Sequence, residues 1–200
     1  MLIDLKMSSD VEEAYNANKR EIIYLYDYWS MFRQLFVEEQ TIALLWRSAP
    51  SFFYLCHYAF LHQTILNICR LTDPAKSGSH VNISLGRLVN KVKEQLLEKE
   101  KDGSTDEIDQ LWKDVGTATK FARETRNKLL AHSDLETYRT LLDPNMEEVT
   151  REKIGAALKT IVAVINKVEN MYSLAESDFS IRVVEGDANA LIARLLKADA

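Results

Sequence analysis

Apolar residues recur at steps of three and four over most of the chain, and this spacing is the feature that most limits its fold. The first stripe follows Ser9 and Glu12, which match the capping box that begins many helices. Its members are Val11, Tyr15, Ile22, Leu25, Trp29, Phe32 and Phe36. The 200 residues include only six glycines and three prolines, fewer turn residues than a sheet-rich fold normally needs. The chain is therefore predicted to be all-α.

Further periodic segments predict the other helices. The apolar residues 42–46 either continue the first helix or form a short one before Pro50. Longer helices are predicted over Ser51–Thr72, from Ser84 to about Glu100, from Ser104 to His132 or Asp134, and from Met146 to Leu174. Phe179–Val184 is predicted to be extended, and Gly186-Asp187 to open a last helix. The predicted fold is one domain, residues 1–200: an antiparallel bundle of five to seven helices with a C-terminal strand-helix tail.

Composition limits the location and the partners. The net charge of −5 gives no overall reason to expect nucleic acid, so such a site would need a local basic patch. Cys56 and Cys69 fall in one predicted helix, roughly 20 Å apart, and are expected to be free thiols in a reducing compartment. The N-terminus, Met1 to Ser9, has no apolar core of signal-peptide length, and Ser51–Leu71 carries too many polar residues for a membrane span. A cytoplasmic protein without membrane contact is expected.

One charged residue lies where the periodicity predicts an apolar one. On the helix from Ser104, Arg126 falls near the middle of the apolar stripe, with Arg123 and Asn127 on one flank and His132 on the other. Lys120 and Lys128 add positive charge close by. A buried arginine needs a partner, so Arg126 either pairs with a carboxylate across the bundle or faces a cleft or subunit interface where it binds an anion such as phosphate. Periodicity does not choose between these alternatives.

The run Arg126-Asn127-Lys128-Leu129-Leu130-Ala131-His132 resembles the R-x(4–6)-H signature of the HEPN superfamily, in which a polar residue, often Asn, follows the Arg. Asp134, Leu71-Thr72-Asp73-Pro74 and Asn82-Ile83-Ser84-Leu85 are similar to the HEPN branch associated with bacterial abortive phage infection. The resemblance extends from about Val11 to the C-terminal helix. It implies metal-independent RNA cleavage by a symmetric dimer, without a cofactor, in a phage-defence or toxin system that can include an antitoxin or other partner protein.

The residue types suit that implied chemistry. Cleavage of RNA through its own 2′-hydroxyl needs a base and an acid, and the imidazole of His132 can serve as either. Arg126 would hold the phosphate as charge builds on it, and Asn127 would orient the histidine or the phosphate. Positions six apart on a helix differ by about 120° in projection, so a dimer can surround one phosphate more readily than one helix can. The alternative is a non-catalytic HEPN-like module that binds nucleotide, RNA or a partner protein.

Other polar and aromatic residues are given structural interpretations. His57 and His62 diverge around their helix and are expected to be core or hydrogen-bonded side chains, not metal ligands. Arg70, with Gln63 and Asn67, either belongs to a hydrogen-bond network or solvent edge, or lies beside Arg126 and widens its positive field. The aromatic stripe of Tyr15, Trp29, Phe32 and Phe36 is expected in the core, with the alternative that part of it is a dimer face.

Overall fold

The computed structural model of the chain describes residues 6–98, 105–127, 144–181 and 184–199. Eight helices occur in these ranges: α1 (Ser9–Phe36), α2 (Glu39–Ser48), α3 (Pro50–Leu71), α4 (Leu85–Glu98), α5 (Asp106–Ala118), α6 (Lys120–Thr125), α7 (Pro144–Met171) and α8 (Ala188–Asp199). Strands β1 (Lys76–Ser77) and β2 (His80–Val81) pair as an antiparallel hairpin between α3 and α4. The all-α prediction is confirmed.

The described ranges contain eight helices, one more than the upper end of the predicted range of five to seven. Two short interruptions divide the periodic segments. Residues 37–38 separate α1 from α2, and Thr119 separates α5 from α6. Thr119 is buried, and its hydroxyl donates to the carbonyl of Val115 at 2.8 Å. A threonine that bonds back to the preceding turn in this way tends to bend a helix. The helix predicted from Ser104 to His132 is therefore two helices where it is described, and both of those end residues lie outside the described part.

Serine side chains cap two helices. The hydroxyl of Ser8, not Ser9, accepts the N–H of Val11 in the first turn of α1, at 3.4 Å, so the predicted capping box is wrong by one residue. At the start of α4 the hydroxyl of Ser84 accepts the N–H of Arg87 at 3.4 Å, as the sequence predicts. Periodicity locates a helix well but leaves its first residue uncertain by one or two positions.

The chain divides into two compact units, and the prediction of a single domain stays a prediction. The first unit contains the chain up to Ile22 and Ile65–Ser177. In it α5 packs on α7, and α4 packs on both. The side chains that fill its core are fully buried: Val11, Leu88, Val92, Ile108, Val115, Ile161 and Val168. Lys93 pairs with Asp109 at 2.7 Å, and Lys167 pairs with Glu107, at the edges of that core.

The second unit contains Ile23–Thr64 and the chain from Asp178 onward, and α2 packs on α8 in it. The ring of Phe32 stacks on Trp29 with centroids 5.5 Å apart and lies 5.1 Å from the ring of His57. Trp29, Phe32 and Phe36 are at most 6% exposed, and Tyr15 in the first unit is 7% exposed. The prediction of an aromatic core stripe is confirmed. Its alternative as a dimer face is wrong, because these rings are already covered within the chain.

The predicted C-terminal tail is half correct. Helix α8 forms, but the described residues of the extended segment, 179–181 and 184, form no strand. A strand needs a neighbouring strand for its backbone hydrogen bonds, and the described residues contain no strand next to this segment. The segment is instead anchored by the buried ring of Phe179, 5.6 Å from the ring of Tyr26. In the described ranges we find no helix whose length and apolar character would suit a membrane span.

Candidate functional site

The first half of the predicted motif lies at the end of α6. Arg123 is in the last turn of this helix, and Arg126 and Asn127 follow in a wider, π-helical turn. Turns of this kind are rare and often occur at functional sites. Ala122, one turn before Arg126, is fully buried, so Arg126 does follow an inward-facing position, as the sequence predicts.

Arg126 contacts two side chains among the described residues. Its Nε donates to Oδ1 of Asn127 at 3.3 Å, and its Nη1 lies 3.5 Å from Oδ1 of Asp73. The side chains of Arg126 and Asp73 are 33% and 30% exposed. The structure therefore has the carboxylate partner that one alternative requires and the solvent access that the other requires. The alternative in which Arg126 faces a cleft or subunit interface and binds an anion stays a prediction.

Arg123 extends the same contact to the backbone. Its Nη2 donates to the carbonyl oxygen of Thr72, the first residue after α3. The last carbonyl groups of a helix lack partners within it, and the helix dipole concentrates negative charge there. Asp73 adds a full negative charge at the same place. Arg123 and Arg126 together neutralise the C-terminal end of α3.

The loop after α3 holds Asp73 in a fixed position. The N–H of Asp73 donates to the carbonyl of Arg70 at 3.4 Å, and the amide of Asn82 donates to the carbonyl of Pro74 at 2.8 Å. A Cβ added at Gly86 would lie 3.6 Å from the carbonyl oxygen of Asp73 and 3.0 Å from the ring of Trp112. An alanine at this position of α4 would therefore press on the ring of Trp112 and make only ordinary contact with the Asp73 carbonyl. The two segments that carry the abortive-infection resemblance thus build one loop beside Arg126.

Cys69 is buried in the last turns of α3, close to this charged group. Burial raises the pKa of its thiol, which Arg126 and Arg123 partly oppose and Asp73 reinforces. A thiol with a raised pKa stays protonated near neutral pH and is a poor nucleophile. Cys69 and Cys56 are both free thiols, as expected, and the burial of Cys69 makes it part of the core under the site.

The remaining predicted site residues are not gathered around Arg126 in the described part. Arg70 pairs with Glu21 of α1 at 3.2 Å, and Lys120 is exposed and lies 3.8 Å from Glu124 of its own helix. Lys128 and His132 lie outside the described residues. The roles given to these four side chains therefore stay predictions.

The two histidines of α3 lie among aromatic rings. His57 contacts Phe32 and Phe36, and the ring of His62 lies 5.1 Å from that of Tyr58. Burial lowers the pKa of His62, with a smaller contribution from His57, so its imidazole is neutral near pH 7. The described residues contain no group of three or more His, Cys, Asp or Glu side chains that would suit a metal ion.

A buried carboxylate on α7 is the polar group that the periodicity argument missed. Glu169 is fully buried, and its Oε1 accepts from the hydroxyl of Tyr15 at 2.6 Å and lies 3.2 Å from Nζ of Lys19. Its Oε2 accepts from the backbone N–H of Ser177 at 2.7 Å, and the Ser177 hydroxyl donates to Oε1. We call these four residues the Glu169 network. It fastens the chain after α7 to the first helix.

The network favours the ionised form of Glu169. Burial by itself would raise the pKa of this carboxyl, but the hydrogen bonds from Ser177, Tyr15 and Lys19 outweigh burial and hold the pKa below its ordinary value. A carboxylate that accepts several charge-assisted hydrogen bonds is more stable ionised than protonated. Glu169 therefore stays charged in the interior at neutral pH.

The sequence argument missed the buried Glu169 and the pairing of Asp73 with Arg126, but both had a signal in the sequence. Glu169 follows Ile165 by four residues and so shares its inward face, where a charge needs partners. Asp73 directly follows a predicted helix, where an acidic side chain opposes the helix dipole and requires a nearby cation. The signal identifies a residue that needs a partner, but it does not identify the partner.

Comparison with known proteins gives one match. The model of the family HEPN_AbiU2, described as AbiU2, matches residues 8–191 of the 200. That range includes the α3–α4 loop, Arg126 with its neighbours, and the Glu169 network. No curated protein and no solved structure matches the chain significantly.

Proposed function

Because the chain belongs to the AbiU2 family of HEPN proteins, which is associated with abortive infection, we propose that it is a metal-independent RNA endonuclease of a phage-defence or toxin-type system. Arg126, Asn127 and His132 form the proposed catalytic group. The weaker RNA contacts are assigned to Arg70, Arg123, Lys120 and Lys128. The chain is proposed to act in the cytoplasm as a homodimer, without a cofactor, and to be open to control by an antitoxin or another partner protein.

The solvent exposure and the orientation of the Arg126 guanidinium support this proposal most. A third of the side chain is exposed, and Asn127 fixes its direction through Nε. An oriented guanidinium that solvent can reach is suited to bind a phosphate through two parallel hydrogen bonds. A cation placed where charge develops on the phosphate stabilises the transition state of RNA cleavage.

The proposed chemistry needs a proton donor and acceptor beside this cation. The 2′-hydroxyl attacks the adjacent phosphorus, its proton passes to a base, and the 5′-oxygen of the next nucleotide leaves with a proton from an acid. The products are a 2′,3′-cyclic phosphate and a 5′-hydroxyl. His132 is assigned to one of the two proton transfers, and His132 of a second copy can serve the other in a symmetric dimer.

A non-catalytic HEPN-like module is the second candidate, and one observation favours it. Arg123 and Arg126 both have partners at the end of α3, the carbonyl of Thr72 and the carboxylate of Asp73. Arginines used in this way could serve only to hold α3 in place, and the surface would then bind nucleotide, RNA or a protein without cleavage. The two candidates differ in what His132 does.

Replacement of His132 by alanine is expected to slow RNA cleavage at least about a hundredfold, since a positioned acid or base typically contributes that much. Purified protein is incubated with labelled single-stranded RNA in excess EDTA, and the products are resolved by length and by their termini. His80→Ala is the matched control, because His80 lies exposed in the β1–β2 hairpin and should leave cleavage unchanged.

Two results would contradict catalysis by this site: intact RNA with the unaltered protein, or equal cleavage by His132→Ala. Growth after expression of the protein alone is an independent measurement. A toxin-type nuclease slows growth and His132→Ala restores it, whereas a binding module leaves growth unchanged in both forms.

A further inference from the structure

The carboxylate of Asp73 lies beside the guanidinium that the proposed function assigns to a phosphate. Among the described residues it is the one anionic group in contact with Arg126, at 3.5 Å from Nη1. Nε of the same guanidinium is directed at Asn127. A phosphate bound to Arg126 would therefore come close to Asp73 and would be repelled by it.

The pair between Arg126 and Asp73 is suited to exchange. Both side chains are about a third exposed, and the single contact is long for a charge-assisted hydrogen bond. An RNA phosphate offers oxygens to two N–H groups of the guanidinium at once, which is the stronger arrangement. Among the described residues, Asp73 thus holds Arg126 by a weak contact that a phosphate can replace.

The fold keeps Asp73 beside Arg126 after such an exchange. Its backbone is held by the hydrogen bond to Arg70 and by the loop that Asn82 closes. Arg123 bonds to Thr72, so the neighbouring arginine cannot leave the loop without losing a hydrogen bond of its own. The Asp73 carboxylate therefore stays close enough to oppose a bound anion.

We infer that Asp73 is a positioning residue that holds the Arg126 guanidinium in the free protein and competes with an RNA phosphate for it. This inference rests on the proposed function, because it takes the anion at Arg126 to be a phosphate of RNA. Asp73 sets the affinity and its dependence on salt, while Arg126 makes the contact with the substrate.

The test measures binding of a fluorescein-labelled 2′-O-methyl oligoribonucleotide, which lacks the attacking hydroxyl and is not cleaved. Asp73→Asn is expected to tighten binding about threefold to tenfold at low salt, the range of one partly exposed ion pair, with a smaller gain at high salt. Asp73→Glu keeps the charge and should bind as the unaltered protein does. Asp114→Asn removes an exposed charge on α5 and controls for net charge.

A double-mutant cycle separates this role from a structural one. The gain from Asp73→Asn should vanish when Arg126 is already alanine, because the competition requires both side chains. Circular dichroism and thermal melting show whether each variant is folded. Unchanged or weaker binding by folded Asp73→Asn overturns the inference, as does a gain that persists without Arg126, a gain matched by Asp114→Asn, or an absence of binding by both Asp73→Asn and the unaltered protein.

Cleavage of ordinary RNA by the same proteins distinguishes the two possible failures. If Asp73→Asn binds more tightly through Arg126 but no protein cleaves RNA, the inference holds and the nuclease proposal fails. If cleavage depends on Arg126 but Asp73→Asn does not tighten binding, the nuclease proposal holds and the inference fails.

Discussion

Glu169→Ala is expected to lower the free energy of unfolding by about 3 kcal/mol, the cost of leaving buried hydrogen-bonding groups without partners. The change removes the acceptor of the Tyr15 hydroxyl and of the Ser177 N–H, and it leaves a cavity in a fully buried position. For a chain of this length the melting temperature should fall by roughly 6–12 °C. Chemical and thermal unfolding followed by circular dichroism measure both quantities. Glu152→Ala, at an exposed position of α7, is the control and should change stability by less than about 0.5 kcal/mol.

The same residue gives the stability a dependence on pH. The pKa of Glu169 is lower in the folded chain than its ordinary value of 4.5, because the hydrogen bonds of the Glu169 network stabilise the ionised carboxylate. Its contribution is therefore complete above pH 4.5 and is lost as the pH falls through the lowered value. Glu169→Gln has no such titration, so its stability deficit should be largest near neutral pH and shrink in acid. A deficit that stays constant from pH 7 to pH 3, or a stability equal to that of the unaltered protein at pH 7, would contradict this account of the Glu169 network.

Arg126→Ala is expected to lower the rate of RNA cleavage by about a hundredfold to a thousandfold, the usual effect of removing one group that stabilises transition-state charge. Its effect on stability should be small, at most about 1 kcal/mol, because the pair with Asp73 is partly exposed and such pairs contribute little. Cleavage rates and unfolding curves of the same preparations give both values. Arg20→Ala makes the same chemical change at an exposed position of α1 and should alter neither.

The combination of the two measurements separates the alternatives for Arg126. A large loss of stability with little change in cleavage would mean that the arginine serves mainly to hold the end of α3. A large loss of cleavage with nearly unchanged stability is the pattern of a substrate-binding cation. If both quantities fall strongly, Arg126→Lys keeps the charge and shows whether the fork of the guanidinium is needed.

The sequence predicts helices better than it predicts their interruptions. The apolar stripes locate α1, α3, α4 and α7, since burial of one face determines them and that face is visible as a period of 3.6 residues. The break at Thr119 is not visible in the sequence, because threonine is tolerated inside helices: Thr64 makes the same bond to the preceding turn within unbroken α3. The extended segment after Phe179 fails for a related reason: a strand depends on a neighbour that its own residues do not specify.

For the candidate site, too, the sequence indicates individual residues but not the partners that they contact. Arg126 and Asn127 are found from the sequence because a charge on an apolar stripe violates a local pattern and because the motif resembles that of the HEPN superfamily. The partners of these residues are not found, since Asp73 and Thr72 come from a distant loop that packing alone brings to the end of α6. Glu169 shows the same limit, with its partners on α1 and after α7.

The sequence by itself determined that this chain is helical, which faces of its helices are buried, and which residues resemble the HEPN motif. The tertiary structure alone decided that Arg126 is paired and still reachable by solvent, and that a buried glutamate joins the first helix to the chain after α7. The physical reason is the separation along the chain of the residues that interact. Helix formation and amphipathicity depend on residues three and four positions apart, whereas the partner of a charge depends on which distant segments the packed core brings together.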